Sequence, residues 1–241
     1  MAAFAGPTNT WINTSSENSL NGLVTDGLVL ALDAGRTLSY SGSGTTWTDL
    51  SGNSNNGTLT NGPTFDSSNE YLAYFQFPNS NSYIQLSNPA LTTPSTFSIE
   101  QWVKITDTST NSIFLSNMDG HNDGIESGFD SSSKWSLQIN SSLANISSAT
   151  VNQDQWYHVV FRFDDSNLGK IFVDGVQIQS LHFGSQTINQ STASTIGAIA
   201  YQTSSVENKF EIGELRVYNN KALTATEVLQ NYNAHKTRYG H

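Results

Sequence analysis

Apolar and polar positions alternate in short runs along most of the chain, and Asn, Ser, Gly and Pro separate the runs. GLVLALDAG (27–35) alternates Leu28, Leu30 and Leu32 with Val29 and Ala31, which is the pattern of a strand buried on both faces. EYLAYFQFP (70–78) places Tyr71, Ala73, Phe75 and Phe77 on one face. SYIQL, STFSIEQWVKI, SIFLS, KWSLQI, QWYHVVFRF, GKIFVDGVQI, STIGAIA and NKFEIGELRVYN continue the series. Period-2 segments at this spacing predict an all-β chain folded as a two-sheet antiparallel sandwich. Asp174-Gly175, set between two β-branched runs, predicts a tight hairpin. One short C-terminal helix is expected in LTATEVLQNYNAHK. Thr224 stands three residues before Glu227 as a capping box, and Val228, Leu229 and Tyr232 form an apolar stripe. Residues 1–22 are polar apart from anchors such as Phe4, Trp11 and Ile12 and read as an N-terminal arm, with one domain over 23–241.

Composition narrows the function classes. Lys plus Arg total 10 and Asp plus Glu total 20, a formal charge of −10. That average field repels a phosphate backbone, and the only basic cluster is His235, Lys236 and Arg238, so nucleic acid is not an expected partner. Charged residues make up 12% of the chain, about half of the usual ~25%, and Ser, Thr and Asn supply the polarity instead. There are no cysteines, which removes disulfides and thiolate metal sites. No run approaches the ~18 consecutive apolar residues of a membrane span. The start lacks a basic segment followed by an apolar run, so no secretory leader is expected.

QWYHVVFRFDDSNLGKIFVDGVQI resembles the signature of the laminin-G-like, concanavalin A-like lectin jelly roll, through Trp156, His158, Val159, Asp174 and Gly175. STFSIEQWVKI, with Trp102, resembles the upstream core strand of that family. GLVLALDAG, the loop WTDLSGNSNNGTLTNGPTF and the ending GELRVYNNKALTATEVLQNYNAHKTRYG are similar to a subgroup common in phage virion and environmental bacterial proteins. The resemblance covers about Leu23 to Gly240. It implies a jelly roll that binds sugars or proteins, frequently with one calcium ion, and it fixes no ligand.

Several residues are candidates for chemistry. Asp49, Ser51, Asn53 and Asn55 alternate in one polar loop and read first as a structured turn, second as a weak calcium loop with Asp49 as its carboxylate. The family brings the two ends of the domain side by side, so Asp33 and Glu214 are expected to meet as a structural calcium site, or else to bond backbone N–H groups or Arg216. His121, Asp119, Asp123, Glu126 and Asp130 crowd MDGHNDGIESGFD as metal ligands, ligand rim or solvated loop polarity. Trp47 and Trp135 border loops and are candidates for sugar stacking at a ligand rim with His121 and Asp123, with core packing as the alternative. His158 reads as a structural histidine.

A glycanase of this fold needs two carboxylates facing one sugar. Glu100 stands alone, and the odd spacing of Glu211 and Glu214 predicts opposite faces of one strand. The expectation is therefore a non-enzymatic protein, and the resemblance to the phage-rich subgroup implies a virion structural or adhesive role: a phage capsid decoration, fibre or tail-associated subunit at the virion surface. Its partners would be other virion proteins or cell-surface glycans, and a homo-oligomer is compatible with that setting. The alternative is a carbohydrate-binding module of a bacterial surface or polysaccharide-degrading protein.

Overall fold

The computed structural model describes residues 20–69, 72–88, 90–120, 123–140, 142–188, 193–201 and 208–241, with backbone only over 142–150. Tyr71, His121 and residues 1–19 of the expected arm lie outside the described residues. Sixteen strands precede one helix. They are β1 (Leu28–Asp33), β2 (Thr46–Trp47), β3 (Gly57–Thr60), β4 (Thr64–Asn69), β5 (Leu72–Gln76), β6 (Tyr83–Leu86), β7 (Phe97–Ile105) and β8 (Ser112–Ser116). Then follow β9 (Ile125–Phe129), β10 (Lys134–Ile139), β11 (Ser142–Thr150), β12 (Trp156–Phe163), β13 (Leu168–Val173), β14 (Val176–His182), β15 (Thr195–Ile196) and β16 (Phe210–Asn219). Helix α1 (Ala225–His235) runs into a 3₁₀ turn, Lys236–Tyr239. No helix among the described residues is long and apolar enough to cross a membrane.

The strands form two antiparallel sheets, as the alternation predicts. The first runs β14-β13-β12-β7-β16-β5-β4, with β1 also on β16; the second runs β11-β10-β9-β8-β15-β6-β3-β2. Inward residues of the central strands, such as Ile99, Val103, Phe161, Leu215 and Val217, pack with Phe114, Phe129 and Leu137 of the facing sheet as one core. At the hairpin, Asp174 (φ 51°) and Gly175 (φ 81°) both take left-handed conformations, as the two-residue turn requires. Residue phase slips at several bulges, two of them in the pairings of β16 with β1 and β7. One lies between Leu28 and Leu30, and it sends Leu28 to the outer cluster while Leu30 and Leu32 face the core. The other, at Gly213, matters for the site.

The outer face of the first sheet is covered by α1 and the 3₁₀ turn. Val228 of α1 and Leu223 before it pack on Val24, Val160, Phe172 and Tyr218. Tyr239 stacks on Trp102 at 4.1 Å with the rings 7° apart. The capping box fixes where the helix starts: Thr224 N donates to Glu227 Oε2 at 2.7 Å, and Glu227 N to Thr224 Oγ1 at 3.2 Å. Such a cap contributes about 1 kcal/mol. From Leu20 onward the chain is part of this layer. Leu20 packs on the outer cluster and Gln230 of α1 donates to the Gly22 carbonyl at 3.0 Å.

Candidate functional site

β16 lies between β7 and β1, with Glu214 opposite Trp102 on one side and Asp33 on the other. Gly213 is the extra residue of the bulge between Ile212 and Glu214, and a Cβ there would collide with the Tyr239 hydroxyl. The bulge corrects one expectation. Glu211, opposite Lys104, and Glu214 project from the same outer face, because one inserted residue turns an odd spacing into an even one.

Outward residues of β1, β7, β12 and β16 converge there with residues of α1 and the 3₁₀ turn. Arg216 donates through Nη1 to Glu100 Oε1 at 2.6 Å and through Nη2 to Glu214 Oε2. Glu100, fully buried, also meets His158 Nε2 at 2.9 Å and accepts from Asn231 Nδ2 at 2.6 Å and from the Tyr218 hydroxyl at 3.3 Å. Glu214 meets His235 Nδ1 at 2.7 Å and accepts from Arg238 Nη1 at 2.8 Å and the Tyr239 hydroxyl at 3.1 Å. Arg238 Nη1 also reaches Asp33 Oδ1 at 2.7 Å. Four strands (β1, β7, β12 and β16), the helix and the 3₁₀ turn thus share one buried charge network.

Burial alone would raise both carboxyl pKa values. At Glu100 the Arg216 guanidinium, His158 and Asn231 outweigh it and hold the value down to about 2. At Glu214 burial is outweighed by His235, Arg216 and Arg238, which hold it well below the usual carboxylate range. Both groups are anions locked among cations. Glu211 is paired in the same way, with Lys104 Nζ at 2.7 Å and Gln76 Nε2 at 3.0 Å.

Next to this network a cleft of about 750 Å³ opens between the loop after β1, the β4–β5 hairpin and the helix end. That volume suits a small ligand. Phe65 and Leu72 supply apolar wall, while Arg36, His235, Thr237 and Arg238 supply polar groups. Because the Nδ1 edge of His235 faces Glu214, its opposite edge, carrying Nε2, faces the cleft.

The calcium ion that the resemblance implies would need a carboxylate cluster, and Asp33 and Glu214 do meet. One ligand atom each from Asp33, Glu214 and His235 lies within 4.8 Å of the others. Arg238 Nη1 already bridges the two carboxylates, so a guanidinium stands as the cation and the set does not fit a calcium ion. Asp49 does not fit one either. Its Oδ1 accepts from Ala31 N and Ser51 N at 2.8 and 2.9 Å, and its Oδ2 from Asn55 N and Ser51 Oγ at 3.0 and 2.7 Å. The loop is a turn organised around that carboxylate, and it fastens β1 to the segment leading into β3.

The tryptophan candidates for the rim are core residues. Trp47 is fully buried against Phe75 at 4.7 Å and Trp135 packs edge-on against Tyr157 at 5.2 Å, so neither offers a face to a sugar. The acidic run around 118–130 is dispersed. Asp123 is exposed at a loop closed by Asp119, while Asp130 caps the turn at the far end of β9. Glu126 lies on the outer face of the second sheet between Ser116 and Gln138, where burial pushes its carboxyl up to about 7.

The sequence reading did not place Arg238, His235 and Asn231 in the site. Their spacing, 231, 235 and 238, follows one face of a helix and its continuation, a signal for polar residues aimed inward.

Comparison with known proteins adds the family. Among solved structures, the fold is similar to the binding domain of Paraclostridial Mosquitocidal Protein 1 (18% identity, TM-score 0.69, 88% of this chain and 53% of that one). It is similar to Trypanosoma rangeli sialidase in complex with sialic acid (15%, 0.64, 89% and 34%) and to the Botulinum neurotoxin serotype D binding domain (14%, 0.64, 88% and 51%). The chain spans about half the length of the two toxin binding domains and about a third of the sialidase, and at these identities the likeness is one of fold. No curated protein matches by sequence. A family model, Laminin_G_3, described as the concanavalin A-like lectin/glucanases superfamily, matches residues 78–229. With the jelly roll and that match in hand, the chain belongs to the laminin-G-like family of the concanavalin A-like lectin/glucanases superfamily.

Proposed function

We propose that this lectin-like jelly roll is a non-enzymatic binding module that takes a glycan in the cleft beside the C-terminal helix, displayed as an adhesive subunit at the surface of a phage particle. The observation that carries the reading is the cleft itself: about 750 Å³, walled by Phe65 and Leu72 and backed by a buried charge network that holds its shape. Support for a non-catalytic role comes from the carboxylates of that face. Glu100, Glu211 and Glu214 are each engaged by Arg or Lys, which leaves none of the three as a free acid or base. The virion setting rests on the resemblance of the loop and C-terminal segments to the phage-rich subgroup.

The test is a glycan array read with wild type and with Ser41→Trp, which places an indole in the cleft mouth at an exposed position. Binding by wild type that disappears in the variant supports the reading. Equal binding by both moves the site elsewhere.

A further inference from the structure

The cleft is charged against the trend of the molecule. The chain carries a net charge of −10, yet among the described residues lining the cleft there is no Asp or Glu, and two of the chain's four arginines are there. Arg238 Nη1 is shared by Asp33 and Glu214. Arg36 is held only by a looser ion pair with Asp33. Its Nε stands 3.6 Å from Asp33 Oδ2, beyond hydrogen-bond distance, its side chain is about one-quarter exposed (26%), and its two Nη groups have no partner among the described residues. Across the same cleft His235 presents the ring edge opposite Glu214, again without a partner among the described residues.

We infer that the cleft selects a glycan bearing an anionic group, held by the Arg36 fork with His235 Nε2 beside it while the sugar ring lies along Phe65 and Leu72. This rests on the cleft being the binding site and specifies the ligand class. Asp33 Oδ2 faces the Nε side of Arg36 at 3.6 Å, which leaves the two Nη groups as the donors Arg36 offers at the cleft. A planar guanidinium with both Nη groups free matches a carboxylate bidentately, which makes sugar acids the preferred source of the anion; a sulfate ester presents similar acceptors.

The experiment measures binding of polygalacturonate, dextran sulfate and neutral dextran to wild type, Arg36→Gln, Lys134→Gln and Ser41→Trp at two salt concentrations. Arg36→Gln and Lys134→Gln remove the same charge, but Lys134 is an exposed residue of the second sheet. The expected result is binding of a charged polymer by wild type, weakened about tenfold or more by Arg36→Gln and by high salt, unchanged in Lys134→Gln and abolished in Ser41→Trp. Polygalacturonate binding identifies a carboxylate as the anion and dextran sulfate binding a sulfate ester. Equal loss in Arg36→Gln and Lys134→Gln reduces the effect to net charge and overturns the inference. Dextran binding that Ser41→Trp abolishes and Arg36→Gln spares overturns it while leaving the cleft as the site. Binding that survives Ser41→Trp removes the cleft and the inference together, and no binding of either charged polymer overturns the inference.

Discussion

Asp33 and Arg238 stand 205 residues apart in the chain, and Arg238 Nη1 donates to Asp33 Oδ1 at 2.7 Å. That bond joins the end of the first described strand to the 3₁₀ turn after the last helix. Through Glu214 it continues to Arg216, Glu100 and His158, so the C-terminal layer is bolted to three adjacent central strands. The cleft exists because this layer is fixed against the loop after β1.

Removing Arg216 strands two buried anions. Arg216→Ala is expected to cost about 3–5 kcal/mol, because Glu100 and Glu214 lose a shared partner in a site without water access. Replacing all three together by Glu100→Gln, Arg216→Met and Glu214→Gln should return much of that loss. Urea unfolding midpoints of the single and triple variants check it.

The pH profile should carry two opposed slopes. Glu100 has a folded-state pKa of about 2 against an ordinary 4.5, so it contributes stability above about pH 4.5 that is lost as pH falls toward 2. Glu126 is the reverse. Its folded-state value of about 7 lies above 4.5, so as pH rises from 4.5 to 7 the unfolded chain releases the proton first and the folded state loses stability. Glu126→Gln should flatten the fall between pH 4.5 and 7 and leave the acid limb in place, as read from unfolding midpoints at half-unit pH steps.

Much of the fold was legible in the pattern of residues, and the site was legible in part. Alternation gave the strands, Asp174-Gly175 the hairpin and Thr224 with Glu227 the helix start, because each is a local preference that the tertiary structure keeps. The meeting of Asp33 with Glu214 followed from family resemblance, and its chemistry did not. Arg238 and His235 arrive from an element that only the folded sandwich brings near β1. The Gly213 bulge reversed the face expected for Glu211 relative to Glu214, since a period-2 reading assumes an unbroken ladder. Trp47 and Trp135 border turns in sequence, yet inward-facing positions at strand ends are as buried as central ones.

Gly213 is predicted to be intolerant of a side chain. Gly213→Ala should destabilise by about 1–3 kcal/mol, because the new Cβ pushes Tyr239 away from Glu214 and Trp102. Hydrogen exchange should show faster opening of α1 and the 3₁₀ turn than of the central strands.

Calcium should leave stability unchanged. A cation bound at 100 times its Kd would add about 2.7 kcal/mol, and Arg238 holds the carboxylates such an ion would need. Thermal unfolding with ~5 mM calcium, above the ~0.1–1 mM Kd of weak extracellular sites, and with chelator should give the same Tm. A calcium-dependent rise would place an ion where the guanidinium now stands.

The most direct measurement is a backbone amide NMR titration with the polymer or glycan selected by the array. Shift changes centred on Arg36, Thr37, Ser67 and Thr237, the cleft walls, are the predicted result. Changes centred on the Asp119–Gly124 loop or the outer face of the second sheet, with the cleft amides unmoved, would contradict it.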